Sequence, residues 1–175
     1  PYILVRFVAF NASHDIGIKV MSDEEKIALV NRLSKYGRVY ISSEGPVPDE
    51  LKDKLLKTPY HLIHHVLAFA QLVFSEGATI ASEAAVLGVH ALYVNTIQSG
   101  STREQSERYG LLYCFHDPDE RFRQAADKAV ELLETPHLVE MGQAKRRKLL
   151  EEKVDINGYF MQEMERLVKV GRKGK

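Results

Sequence analysis

The fold of this 175-residue chain is decided by residues 72–88, LVFSEGATIASEAAVLG. The apolar residues 72–75 are typical of a short buried strand, and the alanine-rich residues 79–87 are typical of a helix. Only three residues, Glu-Gly-Ala, separate the two. A strand that passes through a turn of small residues directly into a helix indicates one unit of a parallel α/β sheet.

The same alternation of strand and helix extends in both directions from this segment. The sequence predicts four more strands, at residues 2–10, 38–42, 91–95 and 111–115. The segments between and after the strands are predicted to be helices, among them 48–56, 61–70 and 117–134. Two further helices begin with capping boxes, in which Ser22 is matched by Glu25 and Thr102 by Gln105. Five strands separated by helices imply an α/β, Rossmann-like fold, a parallel sheet with helices on both faces.

The pattern changes near residue 139, where no further strand follows. Two more helical stretches are predicted there, at residues 143–153 and 156–170. We therefore predict a Rossmann-like domain at residues 1–138 and a C-terminal helical extension at residues 139–175. The extension either packs on this domain or reaches a partner lobe, and the sequence leaves both arrangements open.

The composition excludes several classes of protein. Hydrophobic residues make up 45% and charged residues 27%, which suits a soluble globular domain. The 24 basic residues are balanced by 24 acidic ones, so we expect no nucleic-acid binding. The one cysteine allows no internal disulfide, and no apolar run has the length of a membrane span, so we expect a cytoplasmic protein. Because residue 1 is proline and the first strand begins at once, we expect a trimmed domain without a signal peptide.

Ligands of open parallel sheets bind in the crevice outside the carboxyl ends of the strands. Four loops occupy that position here, at residues 11–17, 43–46, 75–79 and 96–101.

The loop at residues 75–79 is the strongest candidate for a phosphate site. Gly77 and Ala78 let a ligand approach the backbone, and Ser75 stands at the end of the strand before them. Thr79 is predicted to be the N-cap of the next helix, with free amides behind it. A helix N-terminus preceded by small residues is suited to bind a phosphate group.

Two carboxylates lie close to this loop. Glu83 stands four residues after Thr79, about one helical turn into a helix rich in alanine. A carboxylate in such a place needs a partner, and it can accept from both hydroxyls of a ribose. The alternative for Glu83 is a solvated helix face. For Glu76 the alternatives are a sugar contact and a salt bridge at the rim.

The run from Gly77 to Gly88, GATIASEAAVLG, resembles the nucleotide signature of GT-B proteins. The relatives are the GlcNAc transferase of peptidoglycan synthesis and the non-hydrolysing UDP-GlcNAc 2-epimerases. The chain is most similar to a set of uncharacterised archaeal and bacterial proteins grouped with them. The resemblance implies that Gly77, Ala78 and Thr79 face the diphosphate and that Glu83 binds the ribose. In such relatives the next helix upstream begins near the base, so Leu62 or Ile63 is expected to line it.

The chain departs from those families at several loops. After the first strand the transferase has a glycine-rich turn, whereas Ser13-His14 is more similar to the histidine-bearing loop of the epimerases. His14 is then expected to contact a phosphate, unless it is an exposed loop residue. Gln98 is the nearest candidate for the sugar-contacting glutamine of the transferase. The spacing around the glycine pair differs from the epimerase pattern and does not support epimerase chemistry.

Taken together, these residues predict the nucleotide-sugar-binding lobe, with UDP-sugar as the expected ligand, of a glycosyltransferase-like protein. A GT-B enzyme works in the cleft between two lobes, and the N-terminal acceptor lobe with its catalytic base has no room in this chain. The chain alone is therefore expected to be inactive, and an acceptor at a membrane surface is left open. The alternatives are a non-catalytic α/β interaction module that retains the fold, or a UDP-GlcNAc 2-epimerase-like enzyme.

Other signals are weaker, and no cofactor or metal is expected. His61, His64 and His65 have a spacing that could bind a metal, but no supporting Cys, Asp or Glu lies nearby in sequence, so a stripe on the surface of a helix is expected instead. Cys114 is predicted to be a buried structural thiol. The cluster at residues 145–148 is predicted to be a solvated helix face.

Overall fold

The computed structural model describes residues 1–9 and 19–173. Its centre is one five-stranded sheet in which every pair of neighbouring strands is parallel. The order across the sheet is β2-β1-β3-β4-β5. The strands are β1 (Tyr2–Phe7), β2 (Arg38–Ser43), β3 (Leu72–Ser75), β4 (Ala91–Val94) and β5 (Leu112–Phe115). The predicted α/β architecture is confirmed.

Helices cover both faces of this sheet. Within the described residues they are α1 (Asp23–Leu33), α2 (Ile63–Ala68), α3 (Ala78–Val86), α4 (Gly100–Glu107), α5 (Arg121–Glu134), α6 (Leu138–Glu152) and α7 (Ile156–Lys173). Two short 3-10 segments, Asp49–Lys54 and Tyr60–Leu62, lie between β2 and α2.

The two faces bury two separate apolar cores, because neighbouring residues of a strand point to opposite sides. Ile3 and Val5 of β1 pack with α1 and α5, whereas Leu4 packs on the side of α2 and α3. All three are fully buried. Burial on both sides explains why the strands are nearly continuous apolar runs in the sequence.

Two helix starts were predicted from capping boxes, and the structure contains one of the two boxes. The capping box at α1 is confirmed, since Ser22 Oγ accepts from the Glu25 amide at 3.2 Å and Glu25 Oε2 accepts from the Ser22 amide at 2.7 Å. The second predicted box, at Thr102, is wrong, because α4 already begins at Gly100. The hydroxyl of Thr102 donates back to the Ser99 carbonyl at 2.8 Å instead. A long-range contact has replaced the other half of that box, since Gln105 Nε2 donates to Ser82 of α3 at 2.8 Å.

The predicted helix at residues 48–56 is also corrected. It is a 3-10 segment that ends at Lys54, and Leu55 and Leu56 turn back toward β2. Leu55 forms an isolated bridge with Ile41, and the Leu56 amide donates to the Ile41 carbonyl at 2.7 Å. Competition from this extended pairing explains why the helix does not continue.

The two helices of the extension behave differently. Helix α6 packs on the domain, with Leu138 in one core and Leu149 in the other. Its Gly142 lies against α3, where a β-carbon would stand 2.2 Å from the Gly88 carbonyl oxygen. Of the two predicted arrangements, packing of the extension on the domain therefore holds for α6. The domain boundary at residue 138 stays a prediction.

Helix α7 exposes a broad apolar surface instead. Seven large apolar side chains on it are each more than half exposed: Ile156, Tyr159, Phe160, Met161, Met164, Leu167 and Val168. Exposed apolar patches of this kind mark surfaces that contact another molecule. None of the helices described is both long enough and apolar enough to cross a membrane.

Candidate functional site

The order in which the chain adds strands to the sheet reverses at the crevice between β1 and β3. The chain runs from β1 outward to β2 and then returns to the other side of β1 at β3. Ligands of doubly wound sheets bind at such a switch point, outside the carboxyl ends of the strands. The loop between β3 and α3, which the sequence singled out, opens onto this crevice.

A serine closes the turn between β3 and α3. The Ser75 hydroxyl accepts from the Gly77 amide at 3.1 Å and donates to the Gly77 carbonyl at 2.8 Å. Ser75 is fully buried. Its role in the structure is to hold the turn, because its oxygen is already engaged on both sides of Gly77.

The N-cap of α3 is Gly77, so the prediction of Thr79 as the cap is wrong. Gly77 is extended while Ala78 is already helical, which places Thr79 in the first turn with an exposed side chain. No described side chain caps this helix. Among the described residues, no side chain therefore competes with a ligand for the amides of the first turn, and the helix dipole adds positive potential there.

Gly77 also keeps the crevice narrow. A β-carbon there would lie 3.3 Å from Val8 Cγ2, which is tighter than ordinary van der Waals contact. Its φ of −98° is open to any residue, so steric room rather than backbone strain favours glycine.

Glu76 joins the end of β3 to the end of β1 and is only 2% exposed. Its carboxylate accepts from the Val8 amide at the end of β1 at 2.9 Å, and its own amide donates to the Arg6 carbonyl at 3.1 Å. Burial raises the pKa of Glu76 to about 7, although the Val8 hydrogen bond and the charges of Lys26 and Arg121 oppose that rise. The carboxylate therefore lies inside the crevice rather than in a salt bridge at its rim.

Glu83 lies on the side of α3 that faces α2. Its Oε2 is 3.3 Å from Nε2 of His64, and the two side chains are 35% and 60% exposed. The carboxylate is thus neither buried among the alanines nor fully solvated. About a third of the Glu83 side chain stays accessible from solvent.

A cavity of about 400 Å³ lies between the carboxyl end of β2 and the start of α2. Ile41, Leu55 and Leu56 supply apolar walls, and Ser42 and Ser43 add hydroxyls. Of the two residues predicted to lie near the base, Ile63 lines this cavity and Leu62 does not. The next residue, His64, makes the contact with Glu83 described above.

Gln98 lies apart from this cavity, at the carboxyl ends of β4 and β5. It lines a second cavity, of about 390 Å³, together with Arg103, Cys114 and His116. Burial raises the pKa of the Cys114 thiol, which keeps it protonated. No group of three metal-ligating side chains occurs in the part of the chain that is described.

Two residues of the region were not found from the sequence. Asn95 follows β4 and is buried, where its Nδ2 donates to the Glu76 carbonyl at 3.1 Å. Arg121 is 1% exposed and donates to the backbone carbonyls of Lys19 and Pro118. A polar residue at the end of an apolar strand is a usable signal for Asn95. Arg121 carries no such signal, because its local sequence resembles an exposed helix start.

The predicted contacts Ser13 and His14 lie outside the described residues. The remaining predicted residues fall into two groups. Ser75, Glu76, Gly77, Ala78, Thr79 and Glu83 are brought together around the start of α3, and Gln98 lies at a neighbouring strand end.

Comparison with known proteins shows similarity of fold to solved structures only. No protein-family model matches the sequence, and no curated protein matches it. Among solved structures, the spinosyn forosaminyltransferase SpnP aligns over 97% of this chain and 44% of its own, with a TM-score of 0.59 and 17% identity. TarM of S. aureus, solved in complex with UDP and other ligands, aligns over 86% of this chain and 32% of its own (TM-score 0.58, 18% identity).

A third matching structure is assigned to a different class of enzyme. A structure assigned as a UDP-N-acetylglucosamine 2-epimerase of Listeria monocytogenes aligns over 80% of this chain and 38% of its own, with a TM-score of 0.52 and 14% identity. This chain thus spans less than half the length of the structures that it matches. It has the fold of a lobe-sized portion of GT-B glycosyltransferases, as the sequence predicted.

Proposed function

We propose that this chain is the nucleotide-sugar-binding lobe of a glycosyltransferase-like protein and that it takes a UDP-sugar. The observation that carries the proposal is the N-terminus of α3 at the switch point of the sheet, which no side chain of the described residues caps, with Glu83 about one turn along the same helix. The free amides of Ala78 and Thr79 suit a diphosphate. The Glu83 carboxylate suits the two hydroxyls of a ribose.

The cavity beside α2 suits the base. Its apolar walls can cover the flat faces of a uracil ring, and its two serines can bond to the ring's polar edge. His64, the neighbour of the cavity residue Ile63, contacts Glu83, and Glu83 lies on the helix that begins at the α3 turn. These links support binding of one nucleotide with its base in the cavity, its ribose at Glu83 and its diphosphate at the turn.

The chemistry that such a site supplies is stabilisation of a leaving group. When a sugar leaves a nucleoside diphosphate, negative charge develops on the diphosphate. Amides and a helix dipole that already point at that charge stabilise it without reorganising. Transfer also needs a catalytic base and an acceptor, and we propose that a second lobe provides both.

Helix α7 supports the need for a second lobe. Its apolar side chains are exposed, and this chain spans only 44% of the length of a structure with which 97% of it aligns. We propose that the acceptor lobe, from the remainder of a longer protein or from a second molecule, covers this face. The amphipathic character of α7 then reflects an interface between lobes.

Calorimetric titration with UDP tests the proposal. We expect saturable binding that weakens about 10- to 100-fold in Glu83→Ala, since hydrogen bonds to a charged group are lost. The matched control is Glu131→Ala, which removes an exposed carboxylate from α5 on the opposite face of the sheet and should leave binding unchanged. Failure of UDP to bind, alone and after addition of an acceptor lobe, would favour a non-catalytic module.

A further inference from the structure

Glu76 is held in place by both its backbone and its side chain. Its amide donates to Arg6 of β1, its carbonyl accepts from Asn95, and its carboxylate accepts from Val8. The side chain therefore cannot turn out to solvent without breaking the contact that joins β3 to the end of β1. Whatever charge Glu76 carries stays inside the crevice.

That crevice is also where the diphosphate is proposed to bind, so the inference rests on the proposed function. Glu76 directly precedes Gly77, the N-cap of α3. Since successive Cα atoms are about 3.8 Å apart, a phosphate on the first-turn amides lies within roughly 10 Å of the carboxylate. The diphosphate of a nucleotide sugar carries two negative charges, and a third close by in a low-dielectric site repels them.

The nearby cations do not remove this conflict. Among the described residues, the charged groups that face Glu76 are Lys26 of α1 and Arg121 of α5. Lys26 is paired with Asp23 at 3.2 Å, and the guanidinium of Arg121 is bonded to backbone carbonyls. Even with both cations present, burial holds the pKa of Glu76 at about 7, so Glu76 can gain or lose its proton near neutral pH.

We propose that Glu76 is protonated whenever the nucleoside diphosphate sugar is bound, so that an ionised Glu76 takes up a proton from solvent on binding and adds no negative charge beside the diphosphate. The step is a proton added to a carboxylate, and no covalent bond to the ligand is made. A protonated carboxyl still accepts from the Val8 amide through its carbonyl oxygen, so the contact between β3 and β1 survives. Glu76 thereby makes nucleotide affinity depend on pH.

The size of the effect follows from the starting pKa. If free Glu76 titrates near pH 7 and the bound form stays protonated to above pH 9, affinity is nearly constant below pH 6 and falls about tenfold between pH 6 and pH 8. Glu76→Gln has nearly the same shape and keeps an acceptor for Val8 but cannot ionise. Its affinity should be independent of pH across this range.

The probe is UDP-N-acetylglucosamine, because its diphosphate is a diester that does not titrate between pH 6 and 9, unlike the terminal phosphate of UDP. We would measure the binding enthalpy at pH 7.5 in Pipes and in Tris, whose ionisation enthalpies differ. The difference gives the number of protons taken up. We expect about 0.7 of a proton for the wild type, from a group that is about three-quarters ionised at that pH, and none for Glu76→Gln.

The outcomes separate this inference from the proposed function. Binding without proton uptake, or uptake that persists in Glu76→Gln, overturns the role of Glu76 and leaves the nucleotide site intact. Absence of binding overturns both. If Glu76→Gln does not fold, carboxyl carbon NMR of the wild type gives the answer directly, because the pKa of Glu76 should rise on addition of UDP-N-acetylglucosamine and an unchanged pKa contradicts the proposal.

Discussion

Removing the charge of Glu76 should change how the stability of the protein depends on pH. A carboxyl with a folded-state pKa of about 7 holds more protons in the folded than in the unfolded chain between pH 4.5 and pH 7. The free energy of unfolding therefore falls as pH rises through that window. The Glu76→Gln variant has no such group, so its stability should not fall in this way.

The magnitude follows from the difference between the folded-state and unfolded-state pKa of Glu76. A tenfold difference in proton affinity corresponds to about 1.4 kcal/mol, so a rise in pKa from 4.5 to about 7 gives up to about 3 kcal/mol. Relative to its value at pH 4.5, the difference in stability between variant and wild type should rise by that amount at pH 8. Because both proteins share every other titrating group, subtraction isolates Glu76.

The assay is urea denaturation followed by circular dichroism at pH 4.5, 5, 6, 7 and 8. Glu131→Gln, which alters an exposed carboxylate on α5, is the control and should give a constant small difference. A difference between Glu76→Gln and wild type that does not change with pH would refute the reasoning. It would mean that Glu76 is solvated enough in the folded protein to keep an ordinary pKa.

Two further substitutions and one pH effect test the packing of α6 and the site. Gly142→Ala should cost roughly 1–3 kcal/mol in urea denaturation, because its β-carbon meets the Gly88 carbonyl oxygen at 2.2 Å. Gly100→Ala, which meets nothing within 4 Å, should be neutral or slightly stabilising and serves as its control. Burial lowers the pKa of His90 to about 4, so stability should fall as pH drops from 6.5 toward 4, and His90→Gln should reduce that loss by up to about 3 kcal/mol. Gly77→Ala should lower the free energy of unfolding only slightly, since its φ is unstrained and its β-carbon meets one side-chain atom, Val8 Cγ2, at 3.3 Å, and it should weaken UDP binding because the added methyl group narrows the crevice.

The fold could be predicted because its signals are local. The strand at residues 72–75 was predicted with its observed bounds, and the Ser22 capping box is made by two residues three apart. The errors arose where distant residues compete for the same group. Gln105 bonds to Ser82 on another helix rather than completing a box with Thr102, and Leu55 pairs with β2 rather than extending a helix.

The site could be predicted only in part, for the same reason. Gly77 and Glu83 stand out in one continuous segment. Asn95 and Arg121 join the region from strand and helix ends far along the chain, and only the sheet order brings them to Glu76. The burial that raises the pKa of Glu76 is likewise a property of the assembled crevice and not of its neighbours in sequence.

The central claim is that a nucleotide binds at the start of α3, and NMR of the ¹⁵N-labelled chain titrated with UDP tests it most directly. We predict that the amides of Ala78 and Thr79 shift most, with smaller shifts at Glu83 and around Ile63 in the cavity beside α2. Shifts concentrated instead around Gln98, or absent at saturating UDP, would contradict the account.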